Sequence, residues 1–273
     1  MLTRRVLLSV CLAAVSLCAA PPVKIVLVAG TQSHGPGDHE YKAGCILLAK
    51  FLKQNGVSDA VVVNGGWPED ESVFEGASAI VLYMDGGDHH PILKGDRLAT
   101  IGKLMRKGVG LACLHYAVEV PKDSAGSQFL EWIGGYYERP YSTNPFNDAD
   151  LVKATPDHPI SRGWKSFQLR DEWYYRMRFQ EGDKRVTPIL TSMLPKDAPN
   201  REILAWATER ADGGRGFGFT GLHIHKNWGV PEFRQLLINA ILWTAKVDIP
   251  KGGAHCELDP DDLSRNLFDI PKK

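Results

Sequence analysis

The stretch VKIVLVAG, Val23 to Gly30, decides the fold. It is a short run of aliphatic and β-branched residues with almost no polar alternation, closed by glycine. Such a run predicts a strand buried on both faces, hence a central strand of a parallel sheet. Working outward, a loop from Thr31 to Glu40 leads into Tyr41 to Asn55, where Ile46, Leu47, Phe51 and Leu52 recur at helical spacing and Gly56 closes the segment. Ala60 to Val63 reads as a second strand and Ala79 to Met84 (AIVLYM) as a third, followed by the polar Asp85 to His90. Pro91 suits a first helical turn, so a helix is expected from there to about Lys107, before a fourth strand at Val109 to Leu114. Strands alternating with helices predict an α/β, doubly wound, mostly parallel sheet.

The second half is less regular. Gln128 to Ile133 suggests a short helix. Tyr136 to Pro199 carries seven prolines, with strand-like runs at Tyr174 to Phe179 and Val186 to Leu190. It is expected to form an insertion of antiparallel strands and loops over the carboxyl ends of the sheet strands. Ile203 to Thr208 and Gly216 to Thr220 read as a hairpin across Gly213-Gly214, and Pro231 to Thr244 as an amphipathic helix with Phe233, Leu236, Leu237, Ala240, Ile241 and Trp243 on its apolar face. The expected organisation is a signal segment over 1–20, one α/β domain over 21–247 and a tail over 248–273.

Arg4 and Arg5 precede an apolar run from Val6 to Leu17, then small residues at Cys18 to Ala20. This is the layout of a secretory signal peptide, so an exported, periplasmic or extracellular protein is expected, with no membrane contact after cleavage. Basic and acidic residues number 32 each. Without Arg4 and Arg5 the balance is 30 against 32, or −2. That gives no electrostatic reason to bind nucleic acid or anionic lipid. Cys45, Cys113 and Cys256 would remain, too scattered for a disulfide framework and without a CxxC metal motif.

In an open α/β sheet, ligands bind where loops leave the carboxyl ends of the parallel strands. Polar residues gather there. Ser33, His34, Asp38, His39 and Glu40 follow the first strand; Asp85 to His90 follow the third; His115 and Glu119 follow the fourth. His223, His225 and Trp228 follow the late strand at Gly216 to Thr220. Seven of the nine histidines fall in these four segments, which points to one imidazole-rich site. His115 and His223, each leaving a strand end, are the candidate general acid/base pair. His223 and His225 are two apart, as strand parity requires for one face. With His115 they make a candidate divalent-metal set. His34, His39, Glu40, Asp85 and Glu119 are candidate substrate contacts. Asp171, Glu172 and Trp173 set carboxylates beside an aromatic ring, which suits a sugar, and Trp228 could add a second ring. Cys113 lacks glycine two residues to either side, having Leu111 and His115 instead, so it reads as a buried thiol rather than a nucleophile. Gly86-Gly87 and Gly213-Gly214 lack phosphate-loop or dinucleotide spacing, so no nucleotide cofactor is expected.

The runs SHGPGDHEY (Ser33 to Tyr41), GVGLACLHYAVE (Gly108 to Glu119), WIGGYYE (Trp132 to Glu138), DEWYY (Asp171 to Tyr175) and GLHIHKNW (Gly221 to Trp228) resemble the ThuA-like, trehalose-utilisation family, over about Val23 to Val247. The resemblance implies a flavodoxin-like core related to class I glutamine amidotransferases. It also implies a role in the catabolism of a disaccharide or keto-sugar, with a small saccharide as partner. Two competing readings stay open: a non-catalytic sugar-binding or sensory protein, and a cysteine hydrolase of the amidotransferase type.

Overall fold

The computed structural model describes residues 22–269. The expected signal segment lies outside them. Among the described residues there are eleven strands and four α-helices. The parallel half comprises β1 (Lys24–Ala29), β2 (Asp59–Val63), β3 (Ala79–Tyr83), β4 (Gly110–Leu114) and the late β11 (Arg215–Phe219). Between the last two lie the short β5 (Gly135–Tyr136) and β8 (Arg178–Phe179), which pair with each other. The remaining strands are β6 (Phe146–Lys153), β7 (Phe167–Glu172), β9 (Val186–Leu194) and β10 (Asn200–Glu209). The helices are α1 (Tyr41–Gln54), α2 (Arg97–Met105), α3 (Ser127–Trp132) and α4 (Pro231–Thr244).

One sheet of nine strands runs β2-β1-β3-β4-β11-β10-β9-β6-β7. The first five are parallel and the last four continue antiparallel. Strand β1 shows why its sequence is apolar throughout. Ile25, Leu27 and Ala29 pack into one core with α1 and α4, whereas Val26 and Val28 pack into the other with α2 and α3. Helices on both faces leave no wet side, so period-two polarity is absent. The fold is the expected α/β, flavodoxin-like arrangement.

Four details refine or add to this reading. The antiparallel strands of the insertion, β6, β7 and β9, extend the sheet edge, and Glu172 at the end of β7 reaches the carboxyl ends of β4 and β11. The run expected at Tyr174 to Phe179 is not one strand: Arg178–Phe179 pairs with β5, and Tyr175 makes an isolated bridge to Thr143, while β6 and β7 form the longer hairpin. The helix expected from Pro91 is interrupted: a 3-10 turn covers Pro91–Leu93, Gly95 turns left-handed (φ 58°), and α2 starts at Arg97. Last, the tail folds back. Asn55, Arg234 and Asn239 bond its backbone at His255, Cys256 and Ala254, strapping it to α1 and α4. Among the described residues no helix is long and apolar enough to cross a membrane.

Candidate functional site

Three side chains are aimed by backbone held in the left-handed region. Strand β4 ends at Leu114, and His115 follows with φ 55°. Strand β11 ends at Phe219, and Leu222, with φ 92°, sets up His223. His39, at the end of the loop after β1, has φ 49°. Such conformations are uncommon for residues with a Cβ and persist only where surroundings impose them. Here the surroundings are visible. Asp171, buried at the end of β7, accepts from the Leu222 and His223 backbone N–H groups at 3.0 Å each and from Asn227 Nδ2 at 3.0 Å. Tyr83 Oη donates to the Leu222 carbonyl at 2.6 Å. The His39 N–H donates to the His223 carbonyl at 2.9 Å. Gly30 closes β1 because a Cβ there would meet the Tyr41 ring at 2.7 Å and the Met84 backbone at 2.8 Å. Tyr41 is thereby brought over the strand end.

The result is a ring of four donor atoms. His39 Nε2 lies 2.9 Å from His115 Nε2 and 2.9 Å from His223 Nδ1. Glu172 Oε2 lies 3.0 Å from His223 Nδ1 and 3.4 Å from His115 Nε2. Each residue places one such atom within 4.8 Å of the other three, the spacing of groups that could share a metal ion. The outward sides of the rings are engaged too. His115 Nδ1 donates to the Thr220 carbonyl at 2.9 Å. His39 Nδ1 meets Tyr41 Oη at 2.6 Å, and Tyr41 donates to Asp85 at 2.7 Å. His223 Nε2 faces Asp38 at 3.7 Å.

Burial, together with the neighbouring imidazoles, lowers His39 to about 3 against a weaker pull from Asp85, so its imidazole is neutral at pH 7. Burial would raise Glu172, but hydrogen bonds and charge from His115 and His223 outweigh it and hold the carboxyl well below the usual range. Burial pulls His223 down, and Glu172 with Asp38 more than reverses this. Solvent reaches the cluster past the exposed His34 and Phe146. The His34 ring lies 3.6 Å from that of His39, and the Phe146 ring stands edge-on to His223 at 4.9 Å. A neighbouring cleft of about 440 Å³ is lined by Gly87, Asp88, Glu119, Lys122, Ser124 and Arg139 among others.

A family model described as trehalose utilisation (ThuA) matches residues 25–244. The chain belongs to the ThuA family. It is similar in fold to a ThuA-like protein from Bacteroides uniformis, at 15% identity and TM-score 0.58 over 85% of this chain and 95% of that one. A ThuA-like protein from Parabacteroides merdae is similar at 17% identity and TM-score 0.57, over 88% and 94%. Agd3, described as a carbohydrate deacetylase, shares the fold at 13% identity and TM-score 0.51, over 82% of this chain and 32% of that one. No curated protein matches.

Of the residues expected at the site, this ThuA chain brings together His39, His115, Glu172 and His223, with His34 and Asp85 beside them. Others stand elsewhere. His225 is buried in the following 3-10 turn and its ring nitrogens are not among the donor atoms that converge, so it leaves the metal set. The strand parity assumed for His223 and His225 fails because β11 has already ended. Trp173 and Trp228 are fully buried: Trp173 packs on Phe219 and Trp228 on Phe51 and Phe233, so neither offers a sugar a face. Glu40 accepts from the Gly37 and Phe268 N–H groups at 2.9 and 2.7 Å and fastens the loop to the tail. Asp171 is a positioning residue for the same reason. Glu119 sits one cleft away, 2.7 Å from Arg139 Nε. His90 is a turn residue, its Nδ1 accepting from the Ile92 N–H at 3.2 Å.

Cys113 lies inside β4, fully buried, with its thiol pushed well up by burial. The sharp turn after the strand is present, but His115 occupies it. Cys113 is therefore not the exposed nucleophile that a cysteine hydrolase of the amidotransferase type needs. Tyr41, Thr220 and Phe146 belong to the surroundings of the cluster and were missed. For Tyr41 the signal was available, since it ends the SHGPGDHEY run. Nothing local marked Phe146, or the Thr220 carbonyl, which any residue could supply.

Proposed function

We propose that this protein is an exported enzyme of carbohydrate catabolism that acts on a disaccharide or keto-sugar at the His39, His115, Glu172 and His223 cluster. The observation that carries the reading is the meeting of these four groups, from four separate segments, in a chain of the trehalose-utilisation family. The surroundings suit a saccharide. Phe146 offers an exposed ring to C–H faces, while Asp38 and Asp85 offer carboxylates to hydroxyls.

A keto group makes the neighbouring C–H acidic. His34, half-exposed over His39 and kept below its ordinary range by burial and by His223, is neutral at pH 7 and open to a substrate. Where the carbon that loses the proton bears a hydroxyl, His34 can take the C–H proton and return it to the former carbonyl carbon while the hydroxyl proton passes to the enolate oxygen, giving isomerisation through an enediol. Alternatively, the electron pair left on carbon can expel a glycosidic oxygen two bonds away, giving elimination, with the proton leaving on that oxygen. The His223 imidazolium, favoured by Glu172 and Asp38, stabilises the enolate oxygen that forms meanwhile.

The test incubates purified protein with trehalose, 3-keto-trehalose and related glycosides, and follows products by NMR. Wild type should convert one of them, and His115→Ala and His223→Ala should each lose about 10²-fold or more of the rate. Equal turnover in all three proteins removes the cluster from the chemistry. Stoichiometric sugar binding without product on long incubation would establish a binding protein instead.

A further inference from the structure

We propose that His39 Nε2, His115 Nε2, His223 Nδ1 and Glu172 Oε2 are the ligands of one divalent transition-metal ion. The inference deepens the reading of the same site and rests on it for its consequence in catalysis.

The first argument is the proton count. A carbonyl can only accept, so the 2.9 Å bond to Thr220 places the His115 proton on Nδ1 and leaves a lone pair on Nε2. Tyr41 has one hydroxyl proton, which goes to Asp85 at 2.7 Å. The 2.6 Å contact to His39 is therefore donated by His39 Nδ1, and Nε2 keeps its lone pair. Two lone pairs then face each other across the 2.9 Å between His39 Nε2 and His115 Nε2, with no proton between them. The Glu172 carboxylate adds a third acceptor within 3.4 Å of His115 Nε2. Acceptors so close in a buried place repel one another unless a cation lies among them.

The second argument is spacing. Ligands about 2.1 Å from one ion lie about 3.0 Å apart at right angles and about 3.4 Å apart at tetrahedral angles. The four edges of the ring measure 2.9, 2.9, 3.0 and 3.4 Å.

The third argument lies behind the ligands. Metal-binding histidines hand their other N–H to a carbonyl or carboxylate, which fixes tautomer and ring orientation. His115 does so to Thr220, His39 to the Tyr41–Asp85 pair, and His223 Nε2 faces Asp38. Three imidazoles and one carboxylate favour zinc and its neighbours over calcium or magnesium, which take oxygen ligands. A second grouping, His34, His39 and Asp85, would compete for His39. The Asp85 oxygen it needs already accepts from Ser33 and Tyr41. A bound ion would polarise a sugar carbonyl and leave His34 as the proton acceptor.

The test strips full-length protein with a chelator and titrates Zn²⁺ alone by calorimetry, with Co²⁺ absorption as a second signal. One ion per chain is expected. His115→Ala and Glu172→Gln should weaken binding by at least about 10²-fold, and His225→Ala should leave it unchanged. If the variants unfold, anomalous diffraction of zinc-loaded wild type decides by placing the ion among the four residues or elsewhere. No stoichiometric binding, or full binding in the two ligand variants, overturns the proposal. Metal bound with no sugar converted supports it and sinks the catalytic reading; equal turnover before and after chelation does the reverse.

Discussion

The two halves of the sheet are built by different rules, and the candidate site needs both. In the parallel half, β3 and β4 are buried at every residue, and helices cover both faces. In the antiparallel half, β6 buries only Ala149 and Leu151 of eight residues, and β7 only Asp171 of six. The parallel half contributes His39, His115 and His223 from loops at its strand ends. The antiparallel half contributes Glu172 and, through Asp171, the hydrogen bonds that hold the His223 turn. A rigid, apolar scaffold supplies imidazoles, and a thinner, wetter extension supplies charge.

Asp171→Ala probes that junction most severely. It strands the Leu222 and His223 N–H groups and Asn227 in a buried place, each costing about 1–3 kcal/mol. A loss of roughly 3 kcal/mol or more is expected by urea denaturation, together with loss of activity although Asp171 does not face the cluster. A stable Asp171→Ala protein would mean that the halves do not depend on each other at this point.

Next comes a matched pair. Leu82→Ala empties a fully buried position in β3 and should cost about 2–5 kcal/mol. Leu169→Ala, in half-buried β7, should cost about 1 kcal/mol. Equal losses would erase the contrast in packing.

The smallest effect concerns the ion pair across the halves. Glu119 follows β4 and Arg139 belongs to the insertion. Burial lifts the Glu119 carboxyl to about 7, with Arg139 opposing. The folded value exceeds the unfolded one of about 4.3, so the stabilising contribution is complete below that pH and is lost as pH rises through the folded value. Wild-type Tm should therefore fall across roughly pH 4 to 7 more steeply than that of Glu119→Gln, by a few degrees at most. Parallel profiles would show that Glu119 is already ionised in the fold.

These contrasts also explain what could be read from the chain. The parallel strands were legible because two-sided burial writes continuous aliphatic runs such as Val26 to Ala29 and Ala79 to Leu82. Strand β6, FNDADLVK, was not: Asn147, Asp148 and Asp150 are poor strand formers, and only two buried residues mark its inner face. At the site, His115 and His223 were legible as polar residues at strand ends. Glu172 and Trp173 are neighbours in sequence but part company in space, the carboxylate joining the cluster and the indole entering the core. His225 was misplaced because alternation stops where a strand stops.

His39, His115 and Leu222 each occupy a backbone shape that glycine would adopt more comfortably. Leu222 repays its bend by packing into the core. The architecture alone has no such use for an imidazole at the corners of His39 and His115, where the bends serve only to turn the rings toward one another. Sites of this kind can be sought in other folds by asking where a chain accepts an awkward bend in order to hold a reactive ring.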